Sequence, residues 1–255
     1  MTNAKAKRTS KQTGINILIP SLMSADAVSR TDTCHERTFQ TTFGISHRPT
    51  HKCIFAFHKD QIINEENHHY RRRPAQNVQH RLYALDYKGC MSCMACKIKG
   101  KASKVCKFKD ALTPVLEDIA NADGLVLGSP NYFGEVTGQM RAFLERLAFP
   151  WLSYNDYSIT APKRMPVVLV ETQNGGVGGS NCNGYGSMEP CIARALGQPE
   201  KLFANNTYQV KNYANFELGG FSEEAKRKYR DEHWEEDLQK AFDAGKRMAE
   251  TILNA

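Results

Sequence analysis

The 255-residue sequence predicts an α/β fold in which a parallel sheet is covered by helices on both faces. From residue 110 onward, short and continuously apolar runs alternate with segments of helical periodicity. Continuous apolar runs are typical of strands that are buried on both sides, as in parallel sheets.

The predicted elements succeed one another without a long gap. Capping residues and periodicity place the helices, and the apolar runs place the strands. In chain order they are a strand over 78–85, a helix beginning near Asp110 or Thr113, a strand over 124–128, a helix with Met140, Phe143, Leu144 and Leu147 on one face, a strand over 165–170, a helix over 191–196, a strand over 201–210 and a helix from Ser222 to Leu253. The inward face of the last helix is predicted to carry Leu238, Ala241, Phe242, Met248, Ala249 and Ile252.

The N-terminal third differs in composition from the rest of the chain. Residues 1–84 contain 13 Lys and Arg against 6 Asp and Glu, whereas residues 85–255 contain 21 of each sign. We interpret residues 1–40 as a poorly patterned basic arm and residues 41–255 as one domain. Because the part of the chain from 85 onward is neutral, the net charge of +7 does not indicate a nucleic-acid-binding protein.

Within this domain, residues 41–81 are aberrant. A short strand is expected over 41–46, but residues 47–80 lose all useful periodicity and are rich in His and Arg. We interpret residues 47–80 as the product of a shifted reading frame or a damaged gene.

No apolar run approaches the ~18 residues that a membrane span needs.

Four cysteines indicate a metal centre. Cys90, Cys93 and Cys96 have the spacing C-x2-C-x2-C, and Cys106 follows ten residues later. Such a triple with a distant fourth cysteine is typical of iron–sulfur ligation, while zinc or metal-free thiols remain the alternatives. Closely spaced cysteines without a clear secretory signal indicate a reducing compartment, so we expect a cytoplasmic protein.

Two loops that follow predicted strands are candidates for a ligand site. In open α/β sheets, ligands bind beyond the carboxyl ends of the strands. One loop covers 129–134 and has aromatic residues, Tyr132 and Phe133, that could stack on a planar ring; the other covers 172–180 and is rich in glycine. The alternatives are that the aromatic residues fill the core and that the glycine-rich run is only a surface loop.

Three blocks of sequence then form a recognisable combination. They are the triple Cys90, Cys93 and Cys96, the helix Leu112-Thr113-Pro114-Val115-Leu116-Glu117, and the block Gly128-Ser129-Pro130-Asn131-Tyr132-Phe133-Gly134-Glu135-Val136-Thr137-Gly138-Gln139-Met140-Arg141-Ala142-Phe143-Leu144-Glu145-Arg146. Together they resemble the NADPH-dependent FMN reductase-like flavodoxin superfamily, and within it the iron–sulfur flavoproteins, over about residues 82–255.

The resemblance implies a flavodoxin-like three-layer sandwich with a central parallel sheet, in which residues 90–106 form an insertion loop. It implies an FMN-dependent NAD(P)H oxidoreductase that passes electrons to a quinone, a small acceptor or a redox protein, and a homodimer or homotetramer. The implied ligands of a 4Fe-4S cluster are Cys90, Cys93, Cys96 and Cys106. The implied FMN-binding residues are Ser129, Pro130, Asn131, Tyr132, Phe133, Gly134, Thr172, Gln173, Asn174, Gly175 and Gly176.

The sequence departs from the family at two points. The gap between Cys96 and Cys106 is longer than is usual for the iron–sulfur flavoproteins, and the loop that would bind the FMN phosphate is replaced by residues 44–50. If residues 47–80 are frame-shifted, FMN binding is weakened or lost. Two alternatives to a reductase therefore stay open: a non-catalytic zinc-binding module, and a degraded relative without its cofactor.

Overall fold

The computed structural model describes residues 53–57, 78–176 and 183–255. The predicted basic arm, the strand over 41–46 and the phosphate loop over 44–50 therefore lie outside the described residues. The strands are β1 (Cys53–Phe57), β2 (Val78–Arg81), β3 (Gly124–Tyr132), β4 (Glu135–Val136), β5 (Val167–Thr172) and β6 (Glu200–Ala204), and the helices are α1 (Thr113–Asn121), α2 (Gly138–Ala148), α3 (Met188–Ala195) and α4 (Glu223–Leu253).

The strands form one sheet in the order β2-β1-β3-β5-β6, with β4 attached to β3 as a hairpin. Pairing is parallel between β3 and β5 and between β5 and β6. β1 runs antiparallel to both of its neighbours, an arrangement that the apolar runs did not predict. The predicted α/β class is confirmed, and the sheet is parallel across the strands that carry the predicted site.

Side chains alternate between the two faces along each strand, so both faces of the sheet carry apolar residues, and helices cover both faces. Leu125 and Leu127 of β3 are fully buried in a core formed with α1, α2 and α3. On the opposite face, Val168 and Val170 of β5 pack against Met248 of α4. This gives the three layers of the predicted sandwich. Among the described helices, none is both long and apolar enough to cross a membrane.

The inward face of α4 was predicted wrongly at one residue. Phe242 is 42% exposed, whereas Ala244, Met248 and Ile252 are buried. These three residues are four apart and share one face, while Phe242 lies two residues before Ala244 and so about 200° around the helix from it. The 31 residues of α4 place much of the helix in solvent, and Ser222 caps its beginning as predicted.

Two predicted strands end earlier than expected, and two run further, among them the strand expected over 165–170, which ends at Thr172. The strand expected over 78–85 ends at Arg81, where residues 82–84 form a short 3₁₀ turn. The strand expected over 201–210 ends at Ala204. The strand expected over 124–128 continues to Tyr132, which changes the shape of the candidate site.

The hydroxyl of Thr137 caps α2 by accepting a hydrogen bond from the N–H of Met140, and Thr137 is 1% exposed. We predict that Thr137→Ala lowers the free energy of unfolding by about 1–2 kcal/mol, because a buried donor loses its partner. Ser222→Ala, which removes the exposed cap of α4, should cost about 0.5–1 kcal/mol. Urea denaturation of both variants tests this, and an equal or larger loss for Ser222→Ala would contradict it.

Candidate functional site

The described parts of the two predicted ligand loops, residues 129–134 and 172–176, lie side by side at one edge of the sheet, and residues 177–180 of the second loop lie outside the described residues. Because β3 and β5 are parallel neighbours, their carboxyl ends meet there, with Ser129 beside Glu171 and Pro130 beside Thr172. Beyond this point the chain continues on one side into the β3–β4 hairpin and on the other into residues 173–176. The structure thus brings the two sequence-predicted segments together.

The first segment is a β-hairpin rather than an open loop. Asn131 pairs with Val136 and Tyr132 with Glu135, so the turn consists of Phe133 and Gly134. Both turn residues have positive φ, 58° and 84°, as a two-residue hairpin turn of type I′ requires. A phenylalanine in this left-handed conformation costs roughly 1–2 kcal/mol.

The aromatic side chains of this hairpin are presented to solvent. Tyr132 is 49% exposed and Phe133 is completely exposed. The alternative that these two rings fill the core is therefore wrong. They are available for stacking on a planar ligand, the use for which sequence analysis selected them.

Glu171 of β5 holds the β3–β4 hairpin by hydrogen bonds, and sequence analysis did not identify it. Its carboxylate is buried and accepts one hydrogen bond of 2.6 Å from the amide of Asn131 and another of 2.8 Å from the N–H of Gly184. The side-chain oxygen of Asn131 in turn accepts from the N–H of Gly134. The one available signal was an acidic residue at the end of an apolar strand.

The second segment is held by a buried lysine that sequence analysis also missed. Lys226 of α4 is 3% exposed and donates to the backbone and side-chain oxygens of Asn174 and to the side-chain oxygen of Asn206, 2.9 Å away. Burial lowers the pKa of Lys226. Among the described residues, no atom lies within 4 Å of the position that a Cβ of Gly175 or Gly176 would take.

Two of the predicted FMN-binding side chains form hydrogen bonds within the protein. The hydroxyl of Ser129 is buried, donates to the carbonyl of Pro130 and accepts from the N–H of Thr137. The amide of Gln173 is also buried and donates to Asn205. Both side chains support the edge of the sheet.

The four cysteines of the predicted metal centre line one small pocket. Cys96 is buried, Cys93 is exposed, and Cys90 and Cys106 lie between these extremes. Burial raises the pKa of the Cys96 thiol. Within the described ranges, no three His, Cys, Asp or Glu side chains are arranged to hold a metal ion. The thiols therefore share a pocket without closing on a single ion.

Arg146 of α2 connects this pocket to the domain, although nothing in the sequence distinguished it from a surface arginine. It is 1% exposed, and its guanidinium donates to Cys106 Sγ at 3.1 Å and to both oxygens of Asp110 at 2.7 and 3.1 Å. It also donates to the carbonyl oxygens of Lys88 and Phe108. Burial is the largest single effect and would raise the pKa of Asp110. The hydrogen bonds from Arg146 and from backbone N–H groups, together with the positive charge of Arg146, jointly outweigh it and hold that pKa below its usual range.

Comparison with known proteins finds a family model that matches part of the chain. Residues 71–185 match the family model described as NADPH-dependent FMN reductase. An iron–sulfur flavoprotein of Archaeoglobus fulgidus is 34% identical over 119 residues, 46% of this chain and 52% of the relative. An iron–sulfur flavoprotein of Methanocaldococcus jannaschii is 29% identical over 96 residues, which are 38% of this chain and 48% of the relative. The resemblance found in the sequence is thus confirmed, and the chain spans about half the length of these two relatives.

Solved structures with a similar arrangement are more distant. The apo form of an NADH:FMN oxidoreductase is 15% identical with a TM-score of 0.34, covering 55% of this chain and 59% of that one. An azoreductase from Bacillus anthracis is 12% identical with a TM-score of 0.36, covering 68% and 79%.

The carboxylate of Asp110 gives the first prediction from this site. Because its pKa is depressed in the folded state, its contribution to stability is present above the ordinary value of about 3.9 and is lost as pH falls through the folded pKa. Asp110→Asn should lower the free energy of unfolding by about 3 kcal/mol at pH 7, since it leaves the Arg146 charge unpaired. It should also flatten the decline that begins as pH falls to about 5 and continues through the folded pKa. Urea denaturation across this range, with exposed Asp231→Asn as control, checks it; parallel pH profiles for wild type and Asp110→Asn would refute it.

A second prediction concerns Lys226. Lys226→Met removes the donor that joins Asn174 to Asn206, and a lost buried hydrogen bond to a charged group is worth about 1.5–3 kcal/mol. The backbone amides of Asn206 and Thr207, which bond to residues 175 and 173, should then exchange with deuterium about tenfold faster or more. Lys228→Met, at an exposed position of the same helix, is the control. Unchanged exchange in Lys226→Met would show that the segment does not depend on this lysine.

Proposed function

Because residues 71–185 match the NADPH-dependent FMN reductase family, we propose that the protein is an FMN-dependent NAD(P)H oxidoreductase. Its electrons would pass to a quinone, another small acceptor or a redox protein. The observation that carries this proposal is the pairing of Pro130 with Thr172, which places the family's hairpin beside residues 173–176 at one edge of the parallel sheet.

The residues at this edge fit a planar cofactor. Two exposed aromatic rings stand on the hairpin, and no described residue crowds Gly175 or Gly176. The proposed FMN site consists of Ser129, Pro130, Asn131, Tyr132, Phe133, Gly134, Thr172, Gln173, Asn174, Gly175 and Gly176. When bound, FMN supplies hydride acceptance from NAD(P)H and onward electron transfer.

The roles of these residues follow from their hydrogen bonds. Tyr132 and Phe133 offer ring faces, and the turn that presents them is held by Asn131 and Glu171. On the other side Lys226 fixes Asn174, so the two walls of the site are positioned independently. Ser129 and Gln173, whose side chains bond within the protein, position the edge rather than offering side-chain groups to a ligand.

The proposal includes an iron–sulfur cluster, whose ligands would be Cys90, Cys93, Cys96 and Cys106. Four thiols around one pocket are the donor set that such clusters use. Each iron of a cluster takes its own thiolate, so its ligands are spaced more widely than those of a single ion. Thiols that share a pocket without closing on one ion are therefore compatible with a cluster.

Three further statements belong to the proposal by resemblance alone. They are a homodimer or homotetramer, a cytoplasmic location, and the use of NADH or NADPH as reductant. The competing hypotheses are a zinc-binding module and a degraded relative that no longer binds FMN.

The test is purification without air, followed by a visible spectrum and assays of flavin, iron, sulfide and zinc. We expect flavin bands that bleach on addition of NAD(P)H, with a broad iron–sulfur shoulder. Cys93→Ser should lose that shoulder and most of the iron while keeping flavin, because it removes one of four ligands. Cys191→Ser, in α3 and outside the pocket, is the matched control and should keep both.

Each other outcome selects a different hypothesis. Flavin without iron would retain the reductase and remove the cluster. A colourless protein containing zinc would establish the zinc-binding module. A protein that stays colourless after incubation with FMN and holds no metal would overturn the proposal in favour of the degraded relative.

A further inference from the structure

The segment that carries the cysteines has an extreme charge composition. Residues 88–109, which we call the cysteine lobe, contain no Asp, Glu or Arg. They contain seven lysines in 22 residues, although residues 85–255 as a whole are neutral: Lys88, Lys97, Lys99, Lys101, Lys104, Lys107 and Lys109.

Some of these lysines form hydrogen bonds or ion pairs within the fold. Lys97 donates to the carbonyl oxygens of Pro150 and Leu152, and Lys104 donates to the hydroxyl of Thr160 at 2.6 Å. Lys109 pairs with Glu117 of α1 at 3.0 Å. The others are exposed and form no ion pair with any residue that the structure describes: Lys88, Lys99, Lys101 and Lys107.

Apolar side chains stand among these lysines. Met91, Met94 and Ile98 are 49%, 40% and 50% exposed. Met91, Met94 and Lys107 border the cysteine pocket, and Lys107 donates to the carbonyl oxygen of Lys101. The cysteine lobe therefore exposes both apolar side chains and lysines, and two of the methionines and Lys107 lie at the pocket itself.

Counter-charge for the thiols does not account for this surface. Of the four unpaired lysines, only Lys107 lines the pocket, whereas Lys88, Lys99 and Lys101 do not. Charges that face solvent around an apolar centre are suited to an external partner, since interfaces combine a methionine-rich or aromatic centre with a polar rim.

We infer that the cysteine lobe is the docking surface for an acidic electron-carrier protein. Its carboxylates would face Lys88, Lys99, Lys101 and Lys107, and its apolar residues would cover Met91, Met94 and Ile98. A redox role for the partner rests on the proposed function, but the docking itself does not. Nucleic acid is the less suitable occupant because the lobe lacks arginine, and its one aromatic residue, Phe108, is partly buried beneath Arg146.

The test uses a small acidic flavodoxin as probe and a basic cytochrome c of similar size as its counterpart. Binding of the full chain is measured by calorimetry at low and at physiological ionic strength. We expect binding to the flavodoxin alone, weakening as salt rises. The triple variant Lys99→Glu, Lys101→Glu and Lys107→Glu should bind about tenfold or more weakly. The control variant carries the same change of charge at three exposed lysines elsewhere, Lys211→Glu, Lys228→Glu and Lys246→Glu, and should change the affinity by about twofold or less.

Several results would overturn the inference. They are no binding of the flavodoxin, equal weakening in both triple variants, or equally tight binding of double-stranded DNA or of polyphosphate. Docking is measured without NAD(P)H, so its outcome does not depend on reductase activity. A protein that lacks flavin yet binds the probe through the cysteine lobe would refute the reductase and support the docking surface. An active reductase that does not bind the probe would support the reductase and refute the docking surface.

Discussion

The buried guanidinium of Arg146 is the interaction on which the cysteine lobe depends. The lobe has one short 3₁₀ turn, residues 95–97, and otherwise no helix or strand to order it. Arg146 satisfies its donors with Asp110, Cys106 and the carbonyl oxygens of Lys88 and Phe108, so one side chain joins both ends of the lobe to α2. A buried ion pair adds little to stability compared with apolar packing, but its loss leaves a charge unpaired, which costs about 3–5 kcal/mol. Its value here lies in fixing one conformation of an otherwise irregular segment.

A similar principle operates at the edge of the sheet. The parallel register of β3 and β5 brings two segments together, and buried polar side chains then fix each of them: Glu171 the hairpin and Lys226 the opposite wall. A buried Glu and a buried Lys would each be costly if unsatisfied, and each finds amide partners instead. The edge is thus preorganised by hydrogen bonds to two buried charged side chains.

Sequence reasoning found what depends on local pattern. Apolar runs and helix caps located the sheet and helices, and the spacing of Cys90, Cys93 and Cys96 located the pocket. Sequence reasoning missed the residues whose roles depend on tertiary burial. In the sequence Arg146 and Lys226 look like surface charges, but both side chains are buried in the fold. Phe242 was predicted wrongly because it lies about 200° around α4 from the buried Ala244, a direction that its hydrophobic character alone did not indicate.

Helix α2 spans the distance between these two preorganised regions. Its first turn is tied to β3 through the N–H of Thr137 and the hydroxyl of Ser129, and its last turn carries Arg146. One residue inserted between Thr137 and Arg146 would rotate the guanidinium by about 100° and advance it by about 1.5 Å, away from Asp110 and Cys106. The length of α2 is therefore as strictly limited as its composition: substitutions on its outer face leave the spacing intact, while any insertion or deletion uncouples the cysteine lobe from the sheet.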